Sequence, residues 1–485
     1  MRYVLGVDFG GGASKATLLN ENGKVVATSV SEYPTFYGEG GKAEQNPEDW
    51  YNAACENVVN CLKNIDRTQV KCICFDAATH TAVLTDENFN VVRNSVYWTD
   101  TRPTRQKEYL AANFGDDIFA KFKHNVDTIW TLPALLWIKE NEPETWKKVK
   151  RIMFAKDYVR HKFTGDFCTD YIEAEGSMFF DFDKLKWEEK YLKILGIDQT
   201  FLPKVVNPFD MVGTVTEEIA DKFGISPDTK VICGSTDTAM EIFASGAIKK
   251  GDATVKLATA GRICVVRDKL IPDSQIINYS HIVKGLYYIG TATKACALSL
   301  RWFRDAFGGK YEEFDDMAES VDIGADGLIY HPYLNGELTP YGNPHLRGSF
   351  TGISIAHTKA HFVRAVMEGV ALSLLDCKTY LESKGVKMNS ATIIGGGAKS
   401  KVWRKIVADC LGIKLIGTKN SDSSFGSAML AGIKAGFFKD EKDAVKKCVI
   451  KVEKTLPNLK NNRAYAEIFN RYKKIQSLLS SVYNG

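Results

Sequence analysis

Gly6-Val7-Asp8-Phe9-Gly10-Gly11-Gly12-Ala13-Ser14-Lys15 stands near the start of the chain and decides how the rest is read. An apolar run from Tyr3 ends on an acid, Asp8, and turns through three glycines. A second run at Ala16 to Leu19, a turn at Asn20-Glu21-Asn22-Gly23 and a third run at Lys24 to Val26 complete the pattern of a β-meander. A Walker A loop ends in Gly-Lys-Ser/Thr, whereas here Ser14 precedes Lys15. A dinucleotide fingerprint needs a third glycine where Lys15 stands. A strand that ends in Asp and turns through glycines is a different device. Its backbone N–H groups can cradle phosphate oxygens, and Asp8 can reach a phosphate-bound Mg²⁺ directly or through water. Taken alone, the segment reads first as a tight turn with a capping aspartate.

Working outward, β-rich and helical signals alternate, which reads as an α/β protein. Asn46-Pro47-Glu48-Asp49-Trp50 opens a helix, with Asn46 as cap and Pro47 at the first helical position. Val70 to Phe75 and Ser95 to Trp98 read as strands, and Thr128 to Gly176 as helical and irregular. Lys230 to Cys233 is a strand running into Gly234-Ser235-Thr236-Asp237 and then a helix through Phe243. A second hairpin follows: Ala253 to Leu257, the turn Ala258-Thr259-Ala260-Gly261, then Ile263 to Val266. It echoes the first hairpin and suggests two related domains. The boundary is expected near Ile248-Lys249-Lys250-Gly251, giving domains at 1–247 and 248–445 and a helical tail at 446–485. Tyr465, Ile468, Phe469, Tyr472 and Leu479 keep helical spacing in that tail, as an amphipathic docking helix would.

Of the 485 residues, 45% are apolar and 25% charged, an ordinary balance for a globular protein and one that excludes a disordered or fibrous chain. The 63 basic and 59 acidic residues leave a net charge of +4, too little for a broad nucleic-acid-binding field. No apolar stretch is long enough to span a bilayer, and the N-terminus has no signal-peptide pattern. Eleven scattered cysteines without a C-x-x-C read as free thiols of a reducing compartment. The expected location is the cytoplasm, with no nucleic-acid or membrane partner. A homodimer is the default for a soluble enzyme.

Four further segments can carry chemistry. Asp237 sits where a strand gives way to a helix, a place that often faces a ligand. The helix N-terminus favours its charged form, and a carboxylate there can take a proton from a hydroxyl. An N-cap aspartate is the plain alternative. Ile393-Ile394-Gly395-Gly396-Gly397-Ala398-Lys399-Ser400, ahead of a helix from Trp403 to Leu411, reads equally as an anion or nucleotide platform and as a plain turn between strand and helix. Trp98-Thr99-Asp100-Thr101-Arg102 can hydrogen-bond a polyol and pack an indole on its carbon face, or can equally be a surface salt bridge beside a Trp. His80 follows a strand and can touch the same site, although a lone His is more often structural. His357 and His361 lack the Glu of a zinc protease, since Thr358 stands between them.

The order of these segments resembles the FGGY family of carbohydrate kinases, within the actin/hexokinase/Hsp70 superfamily, from Gly6 to about Gly432. The resemblance rests on Trp98 to Arg102, Lys156-Asp157-Tyr158 with Thr164-Gly165, and Cys233 to Asp237. It continues through Pro332-Tyr333-Leu334-Asn335-Gly336-Glu337-Leu338-Thr339-Pro340, Arg364 to Gly369, and Gly395 to Ser400 with Trp403-Arg404. The motifs lie nearest those of members that phosphorylate D-xylulose.

The resemblance implies two ribonuclease-H-like α/β domains around a deep catalytic cleft, the sugar on the N-terminal domain and ATP mainly on the C-terminal one. It implies Asp237 as general base and Asp8 as the Mg²⁺ ligand. Thr79, His80, Trp98, Asp100 and Thr238, with Asp237, would contact the sugar. Gly10, Gly11, Gly12, Lys15, Thr259, Gly261, Gly396, Gly397 and Ala398 would bind ATP. Two departures stand out. Gly11, Gly12, Ala258 and Ala260 leave both phosphate turns short of the family's usual hydroxyls. On the sugar side, Ala78-Thr79-His80-Thr81 replaces Gln-Met-His-Gly, Thr238 replaces Asn, and Ile172 replaces a small or hydroxyl residue. The competing readings are a kinase for another ketose, a polyol or a sugar acid, and a member that binds sugar or nucleotide without turnover.

Overall fold

Alternation along the first three strands puts Leu5, Val7 and Phe9, with Ala16 and Leu18, on one face of a sheet, where all are buried in one core. A computed structural model describes residues 1–483 and gives these strands as Tyr3–Phe9, Ala13–Asn20 and Val25–Glu32, each antiparallel to the next. The helix Pro47–Cys61 covers that face through Trp50, Ala54 and Val58. Asn46 caps it by accepting from Glu48 N, as its sequence predicts. Strand Val70–Ala77 adds parallel to Tyr3–Phe9, strand Lys230–Thr236 parallel to that, and Met211–Thr214 antiparallel at the edge.

Two compact units result. The first holds Met1–Ala244, Tyr279–Lys284 and Asp422–Val449; the second holds Ser245–Asn278, Gly285–Ser421 and Ile450–Gly485. The return of Asp422–Val449 to the first unit differs from a second domain running through residue 445. Its cause is close packing of the helix Ser423–Lys434 on the remaining face of the first sheet. A Cβ on Gly6 would lie 2.0 Å from Ser424 O, and one on Gly426 would lie 2.2 Å from Met240 O. Only glycine lets this helix come so near.

The second unit repeats the plan. Ala253–Leu257, Gly261–Arg267 and Tyr287–Thr293 form an antiparallel meander, and Ile277–Ser280 extends it. Ser390–Ile394 and Lys414–Thr418 add in parallel, and Lys451–Thr455 closes the edge antiparallel. Apart from Ile277–Ser280 at the far edge of the second sheet, both sheets therefore run third, second, first, then two parallel strands and an antiparallel edge. The helix Lys359–Ser383 is buried continuously from Val363 to Leu374, and its buried charges Arg364 and Glu368 pair with each other at 2.7 Å. The tail expected to be helical opens with that edge strand before its helix Leu459–Tyr483. Tyr465 donates to Glu368 Oε1 at 2.9 Å and Tyr472 meets the Tyr333 hydroxyl at 2.8 Å. The strand expected at Ser95 to Trp98 stops at Val96, because Asp100 N turns back to Tyr97 O at 2.9 Å.

All eleven cysteines are buried free thiols. Among the described residues no helix is long and apolar enough to cross a membrane.

Candidate active site

Parallel register sets Asp8 beside Asp76 on neighbouring strands of the first unit. Both side chains point to the face covered by Ser423–Lys434, and Ser427 Oγ donates to Asp76 Oδ2 at 2.5 Å. Asp8 Oδ1 and Asp76 Oδ1 are buried with no donor among the described residues. Two ionised carboxylates are acceptors only, so without a cation they can meet only by sharing a proton. Burial lifts the Asp8 carboxyl to about 7, with the charges of Asp237 and Glu241 adding to it and contacts to Asp76 and Ser423 opposing. Burial first, then Asp8, lifts Asp76 well above the carboxylate range. A divalent cation would relieve both effects, so the residues fit one. No group of three or more His, Cys, Asp or Glu converges as a ready-made metal cage among the described residues. Mg²⁺ needs no such cage, since it is usually held by one or two carboxylates plus phosphates and waters. Asp76 is absent from the candidates named above; its only sequence signal is an acid closing the buried run Val70 to Phe75.

The glycine turn lies beside this pair. Tyr33 Oη donates to Gly10 O at 2.6 Å, Thr35 and Gln45 donate to Gly11 O at 3.0 and 2.9 Å, and Tyr33 N donates to Gly12 O at 3.0 Å. With every carbonyl taken, the N–H groups of Gly11 and Gly12 have no acceptor among the described residues. An anion is what such a turn can take. A Cβ on Gly12 would meet nothing closer than 3.9 Å. Lys15 pairs with Asp422 at 2.8 Å.

Asp237 is delivered by a bulge. The register of Lys230–Thr236 on Val70–Ala77 shifts between Ile232 and Ser235, and Gly234 takes φ +73° there. A Cβ at Gly234 would lie 1.9 Å from Phe75 O. A buried ionic network holds the bulge: Arg160 donates to Cys233 O at 2.7 Å, and Ser235 donates to Asp170 Oδ2 at 2.8 Å. Lys156 pairs with Asp170 at 3.0 Å. The helix that follows is capped by Thr236 Oγ1, which accepts from Ala239 N at 3.3 Å. Asp237 is therefore not the cap. Its Oδ1 accepts from Thr238 N at 2.5 Å and Thr238 Oγ1 at 3.1 Å, while Oδ2 has no donor among the described residues.

On the sugar side the structure redistributes the candidates. His80 is partly exposed, in the left-handed region at φ +78°. Its N–H goes to Glu173 Oε1 at 3.1 Å, and its carbonyl accepts from Thr131 Oγ1 at 2.8 Å. Trp130 and Tyr279 flank its ring, with centroids 4.5 and 6.2 Å away, and His124 packs on both of them. These three aromatics carry no local motif and were not among the sequence candidates. Trp98 is exposed enough to pack on a ligand, and Thr79 stands beside His80 with part of its surface open. Asp100 takes a different place from the sugar contact expected of it. It is 1% exposed, and both oxygens are filled by Ala43 N and the Arg102 guanidinium and N–H. It builds the loop that presents Trp98.

Thr259, Gly261, Gly396, Gly397 and Ala398 group together in the second unit. Gly395, at φ +93°, sets its Cα against Leu257 O, so the turns at 258–260 and 395–398 lie side by side. Thr259 O accepts from Cys296 N at 2.9 Å, and Gly261 has no room for a side chain against Thr293 and Cys296. Arg404 holds the second turn by donating to Ala398 O at 2.5 Å and Lys399 O at 3.3 Å, and is itself paired with Glu453.

Residues 3–244 match the model of the FGGY family of carbohydrate kinases, N-terminal domain, and residues 264–435 match its C-terminal domain. The chain is 33% identical to a xylulose kinase of Bacillus subtilis over 482 residues, covering 98% of this chain and 97% of that one. The crystal structure of a ligand-bound xylulose kinase from Lactobacillus acidophilus superposes with a TM-score of 0.93 at 26% identity, covering 100% and 99% of the two chains. A gluconate kinase from the same organism gives 0.92 at 26% identity, covering 100% and 99%.

Proposed function

Because this chain belongs to the FGGY family of carbohydrate kinases, phosphotransferases that act on a sugar hydroxyl, we propose that it moves the γ-phosphoryl group of ATP to a terminal hydroxyl of D-xylulose, with Asp237 as general base. The observation that carries this reading is the state of Asp237. The capping role belongs to Thr236, and Oδ2 is left without a donor among the described residues. The similar xylulose kinases support the choice of sugar.

Each residue then has a task. Asp237 Oδ2 takes the proton of the sugar hydroxyl as its oxygen bonds to the γ-phosphorus and the bond to the ADP oxygen breaks. Thr238 holds the other carboxylate oxygen and fixes the aim. Gly11 and Gly12 offer N–H groups to the phosphates, and Gly396, Gly397 and Ala398 line the adenosine side. Asp8 and Asp76 would hold Mg²⁺. Bound there, that ion would supply charge neutralisation to the transferring phosphates, the main demand of a loose phosphoryl-transfer transition state. His80, Thr79 and Trp98 contact the sugar.

The gluconate kinase likeness raises a sugar acid as a second reading. The groups behind His80 favour an uncharged sugar. Glu173 and Glu175 are buried there, and burial raises both well above the carboxylate range. Lys156, which lowers Glu173, is committed to Asp157 and Asp170. A sugar carboxylate would therefore find no uncommitted lysine behind His80 to pair with its charge.

Coupled ADP release with Mg-ATP across ketoses, polyols and sugar acids tests the assignment. The expected result is turnover with D-xylulose that falls by about 10²–10⁴-fold in Asp237→Asn, the range of a general base. Turnover within a few-fold of the parent in that variant would refute the role of Asp237. A gluconate-only response would refute the sugar.

A further inference from the structure

Gly176 follows the short helix Tyr171–Glu175 with φ −76° and ψ −4°, a backbone that any residue adopts. Nothing in its conformation calls for glycine. What excludes a side chain is His80: a Cβ at 176 would lie 2.1 Å from the imidazole Nδ1 and 2.5 Å from Cε1, and 2.8 Å from the Tyr279 hydroxyl. The Nδ1–Cε1 side of the ring therefore lies against Gly176, in the space a side chain would fill, with Trp130 at the ring's edge and the Tyr279 ring centroid 6.2 Å away. The same short segment holds the His80 backbone, since Glu173 Oε1 accepts its N–H at 3.1 Å. A non-glycine residue at φ +78° is strained, and it persists where its surroundings over-determine it. Glu173 fixes the backbone and the bare face of Gly176 fixes the ring.

We propose that Gly176 is a positioning residue for sugar recognition: the missing side chain there sets the direction of the His80 imidazole and, through it, affinity for the acceptor sugar. The inference rests on His80 contacting the sugar. It adds that one segment, Glu173 to Gly176, sets the geometry of that contact from behind.

Gly176→Ala is the probe. The atoms that its methyl meets are the far ends of two side chains, so the ring swings away and the fold is kept. Two readouts separate placement from function. The first is the His80 ring resonance in histidine-labelled full-length protein, assigned by its loss in His80→Ala. The second is steady-state kinetics with D-xylulose and Mg-ATP on Gly176→Ala, His80→Ala and the double variant. The expected result is a shifted His80 resonance in Gly176→Ala. Its sugar KM rises at least 10-fold while its ATP KM stays within twofold. The double variant matches His80→Ala within twofold, because the methyl acts only through the ring. An unmoved His80 resonance overturns the placement. Losses that multiply in the double variant overturn the claim that Gly176 acts through His80. A moved resonance with an unchanged sugar KM in both single variants upholds the placement and refutes His80 as a sugar contact.

Discussion

Asp8→Asn is expected to abolish turnover and yet stabilise the metal-free protein, by an amount that grows with pH. In the fold, burial lifts the Asp8 carboxyl from its ordinary 3.8 to about 7. Its protonated form therefore contributes stability that is fully present below pH 3.8 and is lost as pH rises through 7. At pH 8 the native protein must hold Asp8 ionised next to Asp76, at a cost of up to about 4 kcal/mol, each pH unit between the two values being worth 1.36 kcal/mol. An amide at position 8 carries no charge and can donate to Asp76. The assay is thermal melting in EDTA at pH 5 and pH 8, followed by Mg²⁺ addition. Asp8→Asn melts above the parent at pH 8 by several degrees, and by much less at pH 5. Mg²⁺ raises the parent and leaves the variant unmoved, since ligand binding stabilises only the form that binds. If the variant melts at or below the parent at pH 8, or the gap does not widen between the two pH values, the Asp8–Asp76 pair is not the strained, cation-seeking site argued above.

Two further changes test the nucleotide side. Gly12→Ser adds a hydroxyl where a Cβ has 3.9 Å of clearance; one hydrogen bond to a charged phosphate is worth about 1.5–3 kcal/mol, so the ATP KM falls by about 10-fold or more in initial-rate kinetics, with the sugar KM unchanged. Arg404→Ala releases the carbonyls of Ala398 and Lys399, so the ATP KM rises about 10-fold while the sugar KM holds. Equal effects on both substrates would show a general loosening of the second unit instead.

Residues whose role is local were the ones that the sequence made legible. The two hairpins, the Asn46 cap and the turns at Gly10 to Gly12 and Gly395 to Ala398 are written in short stretches, and the structure has them where the stretches predict. Asp237 too could be read from its place between strand and helix, but not its freedom from capping, which depends on Thr236 turning inward. Roles set by distant partners could not be read. Asp100 looks like a polar ligand until Ala43 N and Arg102 fill its oxygens. Asp76 matters because strand register puts it beside Asp8. No local pattern says that Ser423–Lys434 returns to the first sheet. Gly6 and Gly426 are its signature, but glycines in a strand and a helix read as mere weak points until their close neighbours are known.

The return of that helix has a consequence for synthesis. When the ribosome has delivered Ala244, every strand of the first sheet exists, yet one face of it is bare. Gly6 has no helix over it and Asp76 lacks the Ser427 donor. The covering helix ends at Lys434, 190 residues later, about 10–40 s at ordinary rates of elongation. Through that interval the nascent first unit exposes an apolar sheet face that only its own late segment fits. A truncated product that ends before Asp422 cannot complete the first unit or the site that it carries.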